Sequence, residues 1–343
     1  MNLLWASLAV FFLNLPFGYW REHVPKLSAP WFLAIHIPVP FVIAMRYLFR
    51  LGFQLYTYPA MVGAFFLGQY LGGRLYVRYA GRYRLSGNLL LDLLRLMSGS
   101  TALAKKPILI LKAGNTYDEV IREHGDFDDW IRAKLYPGEP LEAVDVFREE
   151  VEMPDPSRYD GFIITGSHDD VTDHSPWIER LAGYVMYLQE RGLPVLGICF
   201  GHQLLAYAAG GEVGNHPGGQ ELGSVMVTLT PEAQKDPLFR GLPGSFPVHV
   251  NHAQTVTRLP EDATLLAYND FEKTHSFRTG KNGWGVQFHP EYTGDIMRAQ
   301  IHAQYDAVRR SGRDPEALLA RVSDKDYGKR VLRNFVRYCR HGR

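Results

Sequence analysis

Three side chains in this chain have the types and surroundings that covalent acyl transfer needs. Cys199 lies in Gly197-Ile198-Cys199-Phe200-Gly201-His202-Gln203. The apolar run Val195 to Ile198 reads as a buried strand, and Gln203-Leu204-Leu205-Ala206 as a helix opening near Gly201. Glycines two residues before and two after the cysteine suit a sharp strand-to-helix turn, which pushes the side chain out at the carboxyl edge of a sheet. A helix N-terminus beneath the sulfur favours thiolate over thiol. Such a nucleophile needs a base, and the base needs an orienting group. His289 ends the strand-like run Gly283-Trp284-Gly285-Val286-Gln287-Phe288, and Glu291 follows one proline later. A carboxylate there can fix the tautomer of His289 and stabilise its imidazolium. Oxyanion donors are expected from the backbone N–H of Phe200 and from the Gly166-Ser167 turn.

Each piece alone is weak. A Gly-x-Cys-x-Gly turn can simply pack a buried thiol, since cysteine is among the most buried residue types. The combination is specific because a strand leads into all three points.

The elements that position these residues alternate. Ile108-Leu109-Ile110-Leu111-Lys112, Leu141 to Phe147, and Gly161 to Thr165 read as short strands. Helical patterns cover Trp130 to Leu135 and Trp177 to Arg191. This order predicts a flavodoxin-like α/β fold, a mostly parallel sheet with helices on both faces. Ligands of such sheets sit beyond the carboxyl ends of the strands, where Ser167, Cys199 and His289 fall. Glu221 to Thr230 and Thr264 to Ala267 turn to a β pattern. Asp295 to Arg309 and Tyr327 to Arg340 read as helices.

Charge is distributed unevenly. Residues 1–105 hold ten Lys and Arg against two acids, although the chain carries a net charge of +1. The remainder is therefore net acidic, which argues against a nucleic-acid partner. Two cysteines among 343 residues build no disulfide framework, and a lone reactive thiol suits a reducing compartment.

Residues 1–84 read as a membrane region of two to three transmembrane helices, with apolar segments Leu3–Trp20, Trp31–Phe49 and Phe53–Gly73. The second carries Pro38, Pro40 and Arg46, so a kink is expected there. Arg74, Arg78, Arg82 and Arg84 follow the third with no acid among them, which orients that end toward the cytoplasm. Arg46 and Arg50 then fall on the outer side, against the rule. Ala64, Gly68 and Gly72 form a small-xxx-small stripe. Residues 85–105 read as an amphipathic linker on the membrane surface. The expected location is a bacterial-type inner membrane, multi-pass, with residues 106–343 in the cytoplasm.

The Gly197 to Gln203 motif, followed by Gln287-Phe288-His289-Pro290-Glu291, resembles the class I glutamine amidotransferases. It is most similar to stand-alone domains like the amidotransferase half of GMP synthase. The resemblance spans residues 106–296 and leaves C-terminal helices in 297–343. It includes Ile163 to Ser167, the Val171-Thr172-Asp173 loop and Gly210-Gly211-Glu212-Val213. It implies that Cys199 attacks the side-chain amide of glutamine, forming a γ-glutamyl thioester, with His289 and Glu291 completing the triad. It also implies that Gln203, Asn251 and His252 hold the substrate. No synthetase domain is recognised on this chain, so the resemblance places the ammonia acceptor on a separate synthetase or acceptor protein. The same triad serves a γ-glutamyl peptide or amide hydrolase. A third reading is an inactive membrane-tethered scaffold, against which stands the retention of Cys199, His289 and Glu291.

Ser167-His168-Asp169-Asp170-Val171-Thr172-Asp173-His174 offers nitrogen and oxygen donors but matches no fixed-spacing metal motif. It is read as the rim of the active site, with no metal or cofactor expected. No Gly-x-x-x-x-Gly-Lys-Ser/Thr loop is present, so no nucleoside triphosphate site is indicated.

Overall fold

The computed structural model describes residues 2–80, 83, 85–97 and 105–342. Arg82, Arg84 and residues 98–104 of the linker lie outside them. The chain forms two compact units, Met1–Lys105 with Tyr136–Pro140, and Lys106–Leu135 with Leu141–Arg343. The C-terminal helices thus belong to the same unit as the α/β sheet.

The first unit contains α1 (Asn2–His23), α2 (Ala29–His36), α3 (Pro38–Leu48), α4 (Tyr58–Ala80) and α5 (Leu89–Met97). Helices α1 and α4 touch backbone to backbone. A Cβ on Gly68 would strike the Phe11 carbonyl, and one on Gly72 the Leu15 carbonyl. The glycine stripe of α4 is therefore a packing face. The second apolar segment breaks at Ile37, where Pro38 and Pro40 withdraw the N–H groups a continuous helix would need. Arg46 is buried. Its guanidinium donates to Gly52 O at 2.9 Å and Thr57 Oγ1 at 2.7 Å, and lies 4.3 Å from the centre of the Tyr58 ring. A guanidinium satisfied inside the unit is not a loop charge, so Arg46 drops out of the Lys/Arg count that orients the segments. Among the described residues, Asn2–His23 and Ala29–Leu48 are long and apolar enough to cross a membrane.

The second unit contains β1 (Ile108–Lys112), α6 (Asp118–His124), α7 (Phe127–Lys134), β2 (Leu141–Asp145), β3 (Gly161–Ile164), α8 (Pro176–Glu190), β4 (Val195–Ile198) and α9 (Phe200–Ala208). It continues with β5 (Glu212–Asn215), β6 (Glu221–Leu229), β7 (Ser245–His252), β8 (Gln254–Arg258), β9 (Thr264–Tyr268), β10 (Ser276–Thr279) and β11 (Gly283–Val286). The chain then forms α10 (Gly294–Ala303), α11 (Tyr305–Arg310), α12 (Pro315–Ala320) and α13 (Gly328–His341).

Among the described residues, nine strands form one sheet in the order β2-β1-β3-β4-β11-β10-β9-β6-β7. Strands β2, β1, β3, β4 and β11 run parallel. From β11 onward the neighbours are antiparallel. The sheet is thus mixed, and its parallel half carries the strand ends of interest. Side chains alternate between two cores. Ile108 and Ile110 join Leu196, Ile198 and Phe335 on one face, while Leu109 and Leu111 join Phe162, Ile164 and Leu181 on the other. Burial on both faces explains why these strands read as continuous apolar runs. The helix expected over Asp295 to Arg309 is interrupted at Gln304, which closes α10 and opens α11.

Candidate functional site

Cys199 occupies the turn between β4 and α9 with φ 51° and ψ −102°, in a region that side chains rarely adopt. The flanking glycines are sterically required. A Cβ on Gly197 would overlap the Gly201 carbonyl, and one on Gly201 would meet the carbonyl and side chain of Ile164. The strained turn is held by Cys199 N donating to Val286 O at 2.9 Å and Gln203 N donating to Cys199 O at 3.1 Å. Phe200 opens α9, so its N–H is one of those that a helix start leaves without an intrahelical acceptor. The sulfur lies 3.7 Å from the Asn251 carbonyl oxygen.

His289 arrives on the segment after β11, parallel to β4. Its backbone N–H donates to His249 O at 2.8 Å. Its Nδ1 is 2.7 Å from Glu291 Oε1, and both side chains are buried. The ring lies nearly parallel to those of Tyr292 and Phe127, with centroid separations of 4.1 and 6.2 Å. Burial alone would lower the pKa of His289. The Glu291 carboxylate first, and the Cys199 sulfur after it, outweigh burial and raise it to about 10. Both partners thus favour the protonated imidazole over the neutral ring.

Cys199, Phe200, Ser167, Gln203, Asn251, His252 and His289 all line one cavity of about 200 Å³. Gly166 makes room for the imidazole: a Cβ there would sit 3.0 Å from His289 Cε1. Gln203 is oriented by Nε2 donating to Gln254 O at 2.9 Å and Gln287 Oε1 at 3.0 Å. Asn251 Oδ1 accepts from Gln220 Nε2 at 3.0 Å. Both ring nitrogens of His252 have partners within the protein, Gln254 O at 2.9 Å and Glu221 Oε2 at 3.1 Å. His252 thus contributes shape to the wall. In the Ser167–His174 loop, Ser167 Oγ accepts from Asp169 N and His174 Nδ1 lies 2.8 Å from Glu179. Among the described residues no group of three or more His, Cys, Asp or Glu side chains is arranged to hold a metal ion.

Sequence reasoning missed the rest of the lining. Gln220, Gln300 and Gln304 line the cavity with Thr116, Tyr117, Phe127 and Tyr292. Gln304 Oε1 accepts from Gln220 Nε2 at 2.9 Å, and Gln300 Nε2 donates to Thr116 Oγ1 at 2.6 Å. Only Tyr292, next to Glu291, had a signal nearby.

Residues 138–305 match the family Glutamine amidotransferase class-I. A glutamine-hydrolyzing GMP synthase subunit of Archaeoglobus fulgidus is 37% identical over 147 residues, covering 43% of this chain and 74% of that protein. The chain belongs to the class-I glutamine amidotransferase family. Gamma-glutamyl peptidase 5 of Arabidopsis thaliana is 38% identical over 166 residues, which cover 47% of this chain. The match spans 66% of that relative's length. A solved glutamine amidotransferase of Thermotoga maritima shares the fold, with a TM-score of 0.56 at 22% identity over 68% of this chain and 98% of that one.

Proposed function

We propose that this amidotransferase-family chain cleaves a γ-glutamyl amide bond through a covalent intermediate on Cys199. The observation that carries this reading is the sulfur on a strained turn, lining the same cavity as His289, whose Nδ1 lies 2.7 Å from Glu291 Oε1. Cys199 attacks the γ-carbonyl carbon as thiolate. The carbonyl oxygen becomes an oxyanion, met by the Phe200 N–H and the Gly166-Ser167 turn. The tetrahedral adduct collapses, and the amine leaves with the proton of His289. A γ-glutamyl thioester remains. Water then attacks it with His289 as base, giving a γ-carboxylate and the free thiol.

With glutamine the leaving group is ammonia, delivered to a separate acceptor. With a γ-glutamyl peptide it is an amino-terminal amine, and the γ-glutamyl peptidase relatives favour this substrate class equally. We read α1, the α2–α3 pair and α4 as membrane spans that tether the enzyme to a bilayer, with the catalytic unit in the cytoplasm.

The test incubates the full chain with a glutamine-derived diazo-ketone and locates the adduct by intact mass and peptide mapping. A single adduct on Cys199 is expected. A protein that stays unlabelled would sink the reading. Release rates from glutamine and from a panel of γ-glutamyl peptides then separate the two substrates.

A further inference from the structure

The family match ends at residue 305, yet the chain continues into the site's surroundings. Arg313, half-buried in the loop after α11, reaches back to one wall of the cavity. Its Nη1 donates to Gln220 O at 3.0 Å, and its Nη2 donates to Gln220 Oε1. Gln220 Nε2 in turn donates to Asn251 Oδ1 at 3.0 Å and Gln304 Oε1 at 2.9 Å. The guanidinium therefore fixes which end of the Gln220 amide faces the Asn251 side chain, and the backbone oxygen of Asn251 lies 3.7 Å from Cys199 Sγ.

A second attachment lies behind His289. Asp326 Oδ1 pairs with Lys134 Nζ at 2.7 Å, and Lys134 Nζ also donates to Tyr292 O at 2.9 Å. Lys134 is 4% exposed, and its cation lies close enough to feel the Glu291 carboxylate. Glu291 Oε2 has no hydrogen-bond partner among the described residues. Ser323 N donates to Ser224 Oγ at 2.9 Å, which is 3.0 Å from His249 Nδ1, and His249 O receives the His289 N–H. Glycine lets the segment come this close: a Cβ on Gly328 would overlap the Pro290 carbonyl, between His289 and Glu291.

A C-terminal segment that only closed the core would end in apolar contacts, as Val331, Leu332, Phe335 and Val336 do. The polar groups between Arg313 and Asp326 instead reach residues that border the thiol and the imidazole. We propose that residues 313–328 are a positioning strap, fastened at Arg313 to the Gln220–Asn251 wall and at Asp326, through Lys134, to the turn carrying His289 and Glu291. The proposal rests on the reading of Cys199, His289 and Glu291 as the reacting groups. Its two fasteners have separable consequences. The wall shapes where the γ-glutamyl group rests, whereas the turn sets where the proton is delivered.

The experiment measures inactivation of the detergent-solubilised full chain by the glutamine-derived diazo-ketone, whose loss of N₂ requires a proton at the diazo carbon. Arg313→Met should raise the half-saturating concentration about tenfold and leave the limiting inactivation rate within about twofold. Lys134→Met and Asp326→Asn should do the reverse, lowering the limiting rate about tenfold with half-saturation nearly unchanged, and Lys134→Arg should recover most of the rate. Should Lys134→Met fail to fold, Asp326→Asn carries the same test, because the Asp326 side chain is 35% exposed. Variants whose only change is a smaller reactive fraction or a lower melting temperature would overturn the strap. So would wild-type values for both constants in every variant. An unlabelled wild-type chain would instead overturn the reading of Cys199 beneath it.

Discussion

The Glu291 carboxylate meets Nδ1 of His289 at 2.7 Å from only two residues away, with both side chains buried. Pro290 between them restricts the backbone, so the pair forms as the chain leaves β11 and needs no long-range event to align it. In a buried setting an imidazole should lose its proton easily; here the carboxylate and the sulfur reverse that effect and raise the pKa to about 10.

Removing the carboxylate should show as a pH shift. In Glu291→Gln the largest cause raising the His289 pKa is gone, so the ring should deprotonate at a lower pH. If the reactive form needs the imidazolium, the rate of Cys199 modification by the diazo-ketone falls as pH rises through that pKa. The alkaline limb should lie near pH 10 in the parent protein. It should move toward neutrality in the variant, with a loss of about tenfold at pH 8. An unmoved limb would mean that His289 is not the titrating group.

Glycines of the same chain should differ sharply in tolerance. Gly197→Ala and Gly201→Ala each drive a methyl into neighbouring backbone, so both should cost several kcal/mol or prevent folding. Gly183, in the interior of α8, has nothing within 4 Å of its would-be Cβ. Gly183→Ala should therefore stabilise by about 0.5–1 kcal/mol. Urea melts of the three variants would check the order.

The contrast between those glycines explains what could be read in advance. The elbow around Cys199 and the His289-Pro290-Glu291 turn are local. Each is encoded by residues within a few positions of one another, and a steric need leaves a visible spacing. Strands β1, β3 and β4 were legible because burial on both faces makes them uninterrupted apolar runs. The Gln220–Gln304 wall had no such trace, since two glutamines separated by β6 to α10 meet only after the antiparallel half of the sheet is built. The pairing of β6 with β9 and of β9 with β10 follows from sheet order, which no local pattern carries. The break of the C-terminal helical run at Gln304 was hidden too, because its residues are all acceptable helix formers.

Buried histidines should make the second unit acid-sensitive. Burial lowers the pKa of His202 to about 3 and those of His249 and His275 to about 4, against an ordinary value of 6.5. The unfolded chain therefore takes up these protons first as pH falls from 6.5 toward 4, and stability should decline across that window. Glu221 and Glu272, both held below their ordinary values despite burial, act in the same direction lower down. Melting temperature against pH should fall steadily below pH 6.5, and His275→Gln should flatten the slope. A pH-independent melt between 7 and 5 would contradict this account.

The last prediction concerns the first unit, whose outer surface is apolar where a water-facing helix bundle would be polar. Leu4, Trp5, Phe12, Phe66 and Leu67 are all exposed, while Asn14, Arg46 and Gln69 are buried. On α5 the order is likewise inverted: Leu90, Leu94 and Met97 face outward, and Asp92 points in to accept from Ser86 N at 2.9 Å and the Tyr19 hydroxyl at 3.1 Å. Hydrocarbon around α1 and α4 would account for this arrangement, because it removes the cost of exposed apolar side chains. The chain should then remain with membranes after alkaline carbonate extraction. Gly68→Leu and Gly72→Leu should lower its yield in that fraction, since each forces α4 away from the Phe11 and Leu15 carbonyls. A reporter fused after Arg84 should show cytoplasmic activity, in line with the basic residues that follow α4. Release of the intact chain by carbonate would refute the membrane assignment, and periplasmic reporter activity would reverse the orientation.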